Sequence, residues 1–160
     1  MTEHHEMSDK FWKRLDDVNS GMLGTADEAR LVPMSHYADR ENRVLWFIAA
    51  RGTQLVADVE AGSKPAIHVV SEGGEGLYAR VHGRLSLSND QAKLEELMGV
   101  VASSWFEEGE KDPDAQLLRM DLTEAEVWAT QGSLGFLYQI AKAKVTGTKP
   151  DVGDHFTLTF

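Results

Sequence analysis

Val44-Leu45-Trp46-Phe47-Ile48-Ala49-Ala50-Arg51-Gly52-Thr53-Gln54-Leu55-Val56 is the stretch whose reading decides the fold. Seven apolar residues in a row, three of them aromatic or β-branched at the centre, read as a buried strand. The run then turns sharply. Gly52 supplies the backbone freedom for the turn, and Thr53 is placed to cap a helix through its hydroxyl. The first N–H groups of such a helix have no partner inside it and can face an anion. The stretch therefore reads either as an ordinary strand-to-helix connection or as a phosphate seat for a cofactor. Alternating segments flank it at Ala29 to His36 and at Pro65 to Ser71.

Working outward, Ser8 to Ser20 reads as a helix with Phe11, Leu15 and Val18 on one face. Met22 to Thr25 is a short strand. Leu31 to Tyr37 is a strand containing Pro33, which places it at a sheet edge or bulge. Asp39 to Asn42 turns the chain into the central run. Gln54 to Ala61 is a helix stopped by Gly62. Ala66 to Ser71 and Leu77 to Leu87 are strands joined by Gly73-Gly74-Glu75-Gly76, a hairpin signal. In the second of them Tyr78, Arg80, His82 and Arg84 share one face, and Ala79, Val81, Gly83 and Leu85 the other. Ser88 and Gln91 have capping-box spacing before a helix with Leu94, Leu97, Met98 and Val101 on one side. Glu107 to Asp114 is an acidic loop. Gln116 to Asp121 and Glu124 to Trp128 read as two strands turned at Leu122-Thr123, and Ser133 to Lys142 as a last helix. Thr146 to Pro150 is a linker, and His155 to Phe160 alternates as an added edge strand. Strands arriving in hairpins predict a mainly β, mostly antiparallel barrel with peripheral helices.

Composition bounds the function. The chain has 160 residues, with 16 basic and 26 acidic side chains for a net charge of −10. Such a surface repels nucleic acid and anionic membrane. No apolar run approaches the roughly 20 residues that span a bilayer. The start, Met1 to Glu6, lacks the basic and apolar regions of a signal peptide. With no cysteine anywhere, disulfides and thiolate chemistry are excluded and a cytoplasmic setting is expected. Gly73 to Gly76 lacks the spacing of a dinucleotide fingerprint, and no Walker loop, nucleophile elbow or H-E-x-x-H pair occurs. His4-His5-Glu6 reads as a frayed tail and Asp112-Pro113-Asp114 as a solvated loop, so no metal site is expected. His36, His68 and His82 fall on strands, either as hydrogen-bonded barrel residues or as ligand donors. Trp46 reads as core. Trp105 and Trp128 end their elements, where an aromatic covers a planar ligand, a subunit interface or plain core.

In order, the first helix, Met22-Leu23-Gly24-Thr25, Val32-Pro33-Met34, Leu45-Trp46-Phe47-Ile48, Trp105-Phe106 with Asp112-Pro113 and Leu117-Leu118, and Glu124-Ala125-Glu126-Val127-Trp128 resemble the general stress protein branch of the pyridoxamine 5′-phosphate oxidase-like, FMN-binding split barrels. The resemblance covers about residues 8 to 142. It implies a six-stranded antiparallel split β-barrel over residues 1–145 with an extension over 146–160. It also implies a homodimer holding FMN in two clefts between subunits.

Position by position, Val32-Pro33-Met34 stands where the family has Arg-Pro-Met, and Arg30 lies two residues back on the same face. Thr53-Gln54-Leu55 stands at the Ser-x-Lys phosphate clamp, with leucine in place of lysine. Phe47, Ile48, Ala49 and Ala50 would offer backbone to the flavin ring, and Arg51 is a further candidate for the phosphate. Trp128 matches a tryptophan supplied by the partner subunit, with Trp105 beside it. Each lost charged hydrogen bond is worth about 1.5–3 kcal/mol, so weak FMN binding is expected. Ala129 to Ser133 lacks the Arg-x-His substrate motif of the true oxidase. The expected function is a flavin-binding stress-type protein, with low oxidoreductase activity at most. The alternatives are a module for heme, deazaflavin or another planar ligand, and a dimeric scaffold with a vestigial cleft.

Overall fold

The computed structural model describes residues 2–28, 30–105, 114–147 and 153–160. The elements run α1 (Thr2–Asp17), β1 (Ser20–Thr25), β2 (Val32–Ser35), β3 (Tyr37–Asp39), β4 (Val44–Ala50), α2 (Gln54–Glu60), β5 (Lys64–Glu72), β6 (Leu77–Ser88), α3 (Gln91–Trp105), β7 (Ala115–Thr130), α4 (Gly132–Thr146) and β8 (Gly153–Thr159). No helix among the described residues is long and apolar enough to cross a membrane.

All strand pairs are antiparallel. The order across the sheet is β2-β1-β5-β6-β7-β4-β3, with β8 beside β7. β2 and β3 stand at opposite ends of that order, yet only His36 separates them in the chain. The sheet must therefore curl until its ends meet, and the seam is closed by covalent chain rather than by a ladder. This is a split barrel. Pro33 sits in the end strand β2, where its missing N–H costs no ladder bond.

Eight described strands replace the expected six. The Pro33 strand breaks at His36 into β2 and β3, and β8 pairs along Glu124 to Thr130 of β7. The two strands expected around Leu122-Thr123 are one. His82 pairs with Glu124 and Gly83 with Leu122, so Thr123 is the extra residue of a bulge. Its hydroxyl donates to the His82 carbonyl at 3.2 Å. The bulge bends β7 without ending it. Its first half pairs with β4 and its second half with β8, while β6 follows both.

The central run is buried on both faces, as its composition demands. Leu45, Phe47 and Ala49 enter the barrel interior, and Val44 and Trp46 pack under α3 with Leu94, Leu97 and Met98. Inside the barrel they meet Phe11 and Leu15 of α1 and Val81 and Leu85 of β6. The helix begins at Thr2 rather than Ser8, so His4-His5-Glu6 is its first turn and not a tail. Arg14 anchors α1 by donating to the Gly76 carbonyl at 2.7 Å and to that of Thr130. Before α3 the cap is Asp90, which accepts from the Lys93 N–H at 3.0 Å, while Ser88 accepts from the Asp90 N–H.

Candidate functional site

The end of β4 and the start of α2 are held by the turn that the sequence anticipates. Gly52 takes φ +86°, and nothing stands near where a side chain would project. Thr53 occupies the cap position, but its hydroxyl makes no cap bond. It donates instead to the Ala50 carbonyl at 2.8 Å, the last carbonyl of β4. The strand end out-competes the helix start because it lies three residues back, within reach of the side chain.

This corner forms one wall of a cleft of about 890 Å³ that opens along the barrel seam. The size suits a drug- or cofactor-sized molecule. The opposite wall is β2 with the residues before it, contributing Arg30, Val32, Pro33, Met34 and Ser35. Ile48, Ala49 and Ala50 come from β4, and Thr53, Gln54, Leu55 and Asp58 from the α2 corner. Met98 of α3, Tyr37 of β3 and Asn19-Ser20 complete it. Burial holds the Tyr37 phenol above its ordinary pKa, partly offset by a hydrogen bond with Ser35, so it stays a neutral donor.

Nine of the thirteen expected cofactor residues thus line one space: Arg30, Val32, Pro33, Met34, Ile48, Ala49, Thr53, Gln54 and Leu55. Phe47 does not: it is fully buried in the barrel interior, two residues further from the end of β4 than Ala49. Arg51 is exposed beyond the strand end and binds the Asp114 carbonyl through its backbone N–H at 2.8 Å. The side chain of Trp105 lies outside the described residues. Trp128 stands on the outer face of the same subunit, opposite Tyr78 and His155. It stacks on the His155 ring at 4.8 Å with Arg80 over it at 5.5 Å.

Asp58 is a cleft residue that sequence reasoning missed. It lies four residues after Gln54, the spacing that shares a helix face, so its signal was present. Its Oδ1 accepts from Gln54 Nε2 at 2.7 Å. Leu55, Val56 and Val59 take the buried face of the same helix. Met98, Asn19 and Ser20 carried no such signal, because they reach the cleft from distant parts of the chain.

Behind the seam lies a buried histidine pair. His36 Nδ1 and His68 Nε2 are 3.0 Å apart, and His36 Nε2 is 3.0 Å from the Leu15 carbonyl. A carbonyl only accepts, so His36 carries its proton on Nε2 and accepts on Nδ1 from His68. His68 Nδ1 is then a buried acceptor without a partner. Gly21 leaves room for that ring: a Cβ there would stand 2.8 Å from it. Neither histidine lines the cleft, and His82 lies on the outward face of β6. Among the described residues no group of three or more His, Asp or Glu is placed to hold a metal ion. The Asp112-Pro113 pair lies outside the described residues.

The family model described as pyridoxamine 5′-phosphate oxidase like matches residues 6–151. A structure described as a general stress protein 26 from Jannaschia sp. CCS1 is 45% identical, covers 98% of this chain and 99% of its own, and superposes with a TM-score of 0.89. A general stress family protein from Xanthomonas campestris pv. campestris is 29% identical over 81% of this chain and 90% of its own, with a TM-score of 0.69. The general stress FMN/FAD binding protein of Xanthomonas citri is 28% identical over 78% of this chain and 89% of its own, with a TM-score of 0.68. No curated protein matches. A barrel closed only through His36, a cleft along that seam and a family match over nearly the whole length agree: the chain belongs to the pyridoxamine 5′-phosphate oxidase-like family, in its general stress protein branch.

Proposed function

We propose that the seam cleft binds a flavin, FMN being the form the family resemblance implies, and that two copies of the chain assemble around it. The observation that carries this reading is the cleft's lining. Val32, Pro33, Met34, Ile48, Leu55 and Met98 make apolar walls, with a few polar groups between them. That is the environment a flat, largely apolar ring requires. The Xanthomonas citri relative, an FMN/FAD binding protein by description, supports the same ligand class.

When bound, a flavin supplies hydride and electron transfer itself, and the protein supplies orientation and electrostatics. The chain's own contribution is to seat the ring between β2 and the end of β4. Tyr37 would offer a neutral O–H. None of the lining side chains combines a perturbed pKa with a nucleophile or a second base, so any oxidoreductase activity would rest on the cofactor. Trp128 stands on the outer face, where a second copy could receive it. In this reading residues 1–145 carry the site, and 146–160 add β8 to the barrel rim, in a cytoplasmic protein. Heme is less favoured, since His36 and His68 are bonded to each other behind the seam.

Ala50 is exposed and lines the cleft, so Ala50→Trp obstructs it at the β4 end without disturbing the core. Titrating riboflavin and FMN against the purified protein should quench their fluorescence to saturation. Ala50→Trp should abolish that quenching while leaving the circular dichroism spectrum unchanged. Quenching by neither flavin in the wild-type protein overturns the reading. A sedimentation mass of one chain overturns the dimer.

A further inference from the structure

We propose that Asp58 is the specificity-determining residue of the cleft, and that it selects against a ligand carrying a terminal phosphate. The inference rests on the flavin reading and asks which flavin the cleft accepts.

Three positions stand where a phosphate clamp would, and all three are turned to other uses. The Thr53 hydroxyl spends its proton on the Ala50 carbonyl at 2.8 Å. Gln54 spends an amide hydrogen on Asp58 at 2.7 Å. Leu55 is only 7% exposed and packs into the core. The corner thus offers little to an anion, and it adds a carboxylate of its own.

The charge of the lining says the same. Among the described lining residues Arg30 is the one cation and Asp58 the one anion, so this chain's share of the cleft is neutral in sum. Asp58 has no ion-pair partner among the described residues. The Gln54 amide that donates to it carries no charge, so the negative charge stays in place. A phosphate monoester brings about −1.5 to −2 charges at neutral pH. It would enter a neutral cleft on a molecule whose net charge is already −10. An uncharged ribityl tail meets no such repulsion. Its terminal hydroxyl, the group that the phosphate replaces, can also donate to the Asp58 carboxylate, a charge-assisted bond that a phosphate dianion cannot make. The apolar walls accept the ring of either molecule, so discrimination falls on the tail.

The test is a pair of equilibrium titrations, riboflavin and FMN, each followed by fluorescence quenching. Wild type, Asp58→Asn and Asp58→Ala are compared at low and moderate salt. Wild type should bind riboflavin at least as tightly as FMN. Asp58→Asn should tighten FMN about tenfold, the order expected when one negative charge is removed from beside a dianion in a solvated cleft. Riboflavin should not gain in either variant. The FMN gain should shrink as salt rises. The inference is overturned if wild type binds FMN tenfold or more tightly than riboflavin. It is equally overturned if FMN affinity is the same in wild type and both variants. Binding of neither flavin by any of the three proteins overturns the flavin reading itself, and this inference with it.

Discussion

Phe47→Ala should lower the stability of the protein by about 3–5 kcal/mol, the usual cost of removing a fully buried aromatic ring. Phe47 is 0% exposed at the centre of β4, opposite Leu118 of β7. Its ring stands edge-on to that of His68 with centroids 5.0 Å apart. The truncation therefore opens a cavity beside the seam and removes the packing that holds the His68 ring. Domains are commonly stable by about 5–15 kcal/mol, so roughly a fifth or more of the total is at stake. Urea denaturation should show a lower midpoint with an unchanged slope. Below the transition, the folded fraction should still quench flavin fluorescence, because Phe47 contributes no lining to the cleft. A variant with the wild-type midpoint and no flavin binding would place Phe47 in the site after all.

Acid should weaken the protein through the histidine pair behind the seam. Burial depresses the His68 pKa from 6.5 to about 3, with the neighbouring His36 adding to the shift. His36 is also lowered by burial, against the opposing pull of the Leu15 and Val18 carbonyls and the Asp16 carboxylate. Geometry gives the reason. Protonating His36 would set an N–H against an N–H across the 3.0 Å contact, and protonating His68 at its unpartnered Nδ1 would place a charge in the interior with no acceptor beside it.

The sign follows from proton counting. Between pH 3 and 6.5 the unfolded chain carries a proton on His68 that the folded chain does not. Stability therefore rises with pH across this window and is complete above it. It is lost as pH falls below 6.5, by up to about 1.4 kcal/mol per unit for one histidine, or roughly 2.7 kcal/mol at pH 4.5. His68→Gln cannot titrate and should show a flatter profile in urea melts at pH 7.5, 6 and 4.5. Asp9 and Glu126 also have lowered pKa values, through hydrogen bonds from Arg40 and from His155 respectively. They act equally in both proteins, so the difference between the two profiles isolates the pair. Parallel profiles would mean that the histidines are not held neutral.

Some features were legible because they depend on neighbours along the chain. The apolar run at Val44 to Ala50, ended by Gly52, reads as a buried strand. Gly52 marked the turn because few other residues take φ +86°. Pro33 marked an edge strand because it cannot donate to a ladder. The face of α1 and the alternation of β6 and β8 follow from periodicities of 3.6 and 2. The resemblance in motif order brought Arg30, Val32, Pro33, Met34 and Thr53 forward, and these do face one cleft.

Other features were decided only by contacts between distant segments. The turn expected at Leu122-Thr123 became a bulge because β6 continues past it and keeps both halves in register. The Thr53 hydroxyl was expected to cap α2, but where it donates depends on where the β4 carbonyl lies. His36 and His68 are 32 residues apart, and their pairing exists only because the sheet closes on itself. The residues of this chain determined which segments become strands and helices, since burial periodicity and turn chemistry act over a few residues. Tertiary structure decided how the sheet closes, which side chains share the cleft and which histidine holds which proton, because hydrogen bonds and charges are settled by whatever the closed barrel brings within about 3 Å.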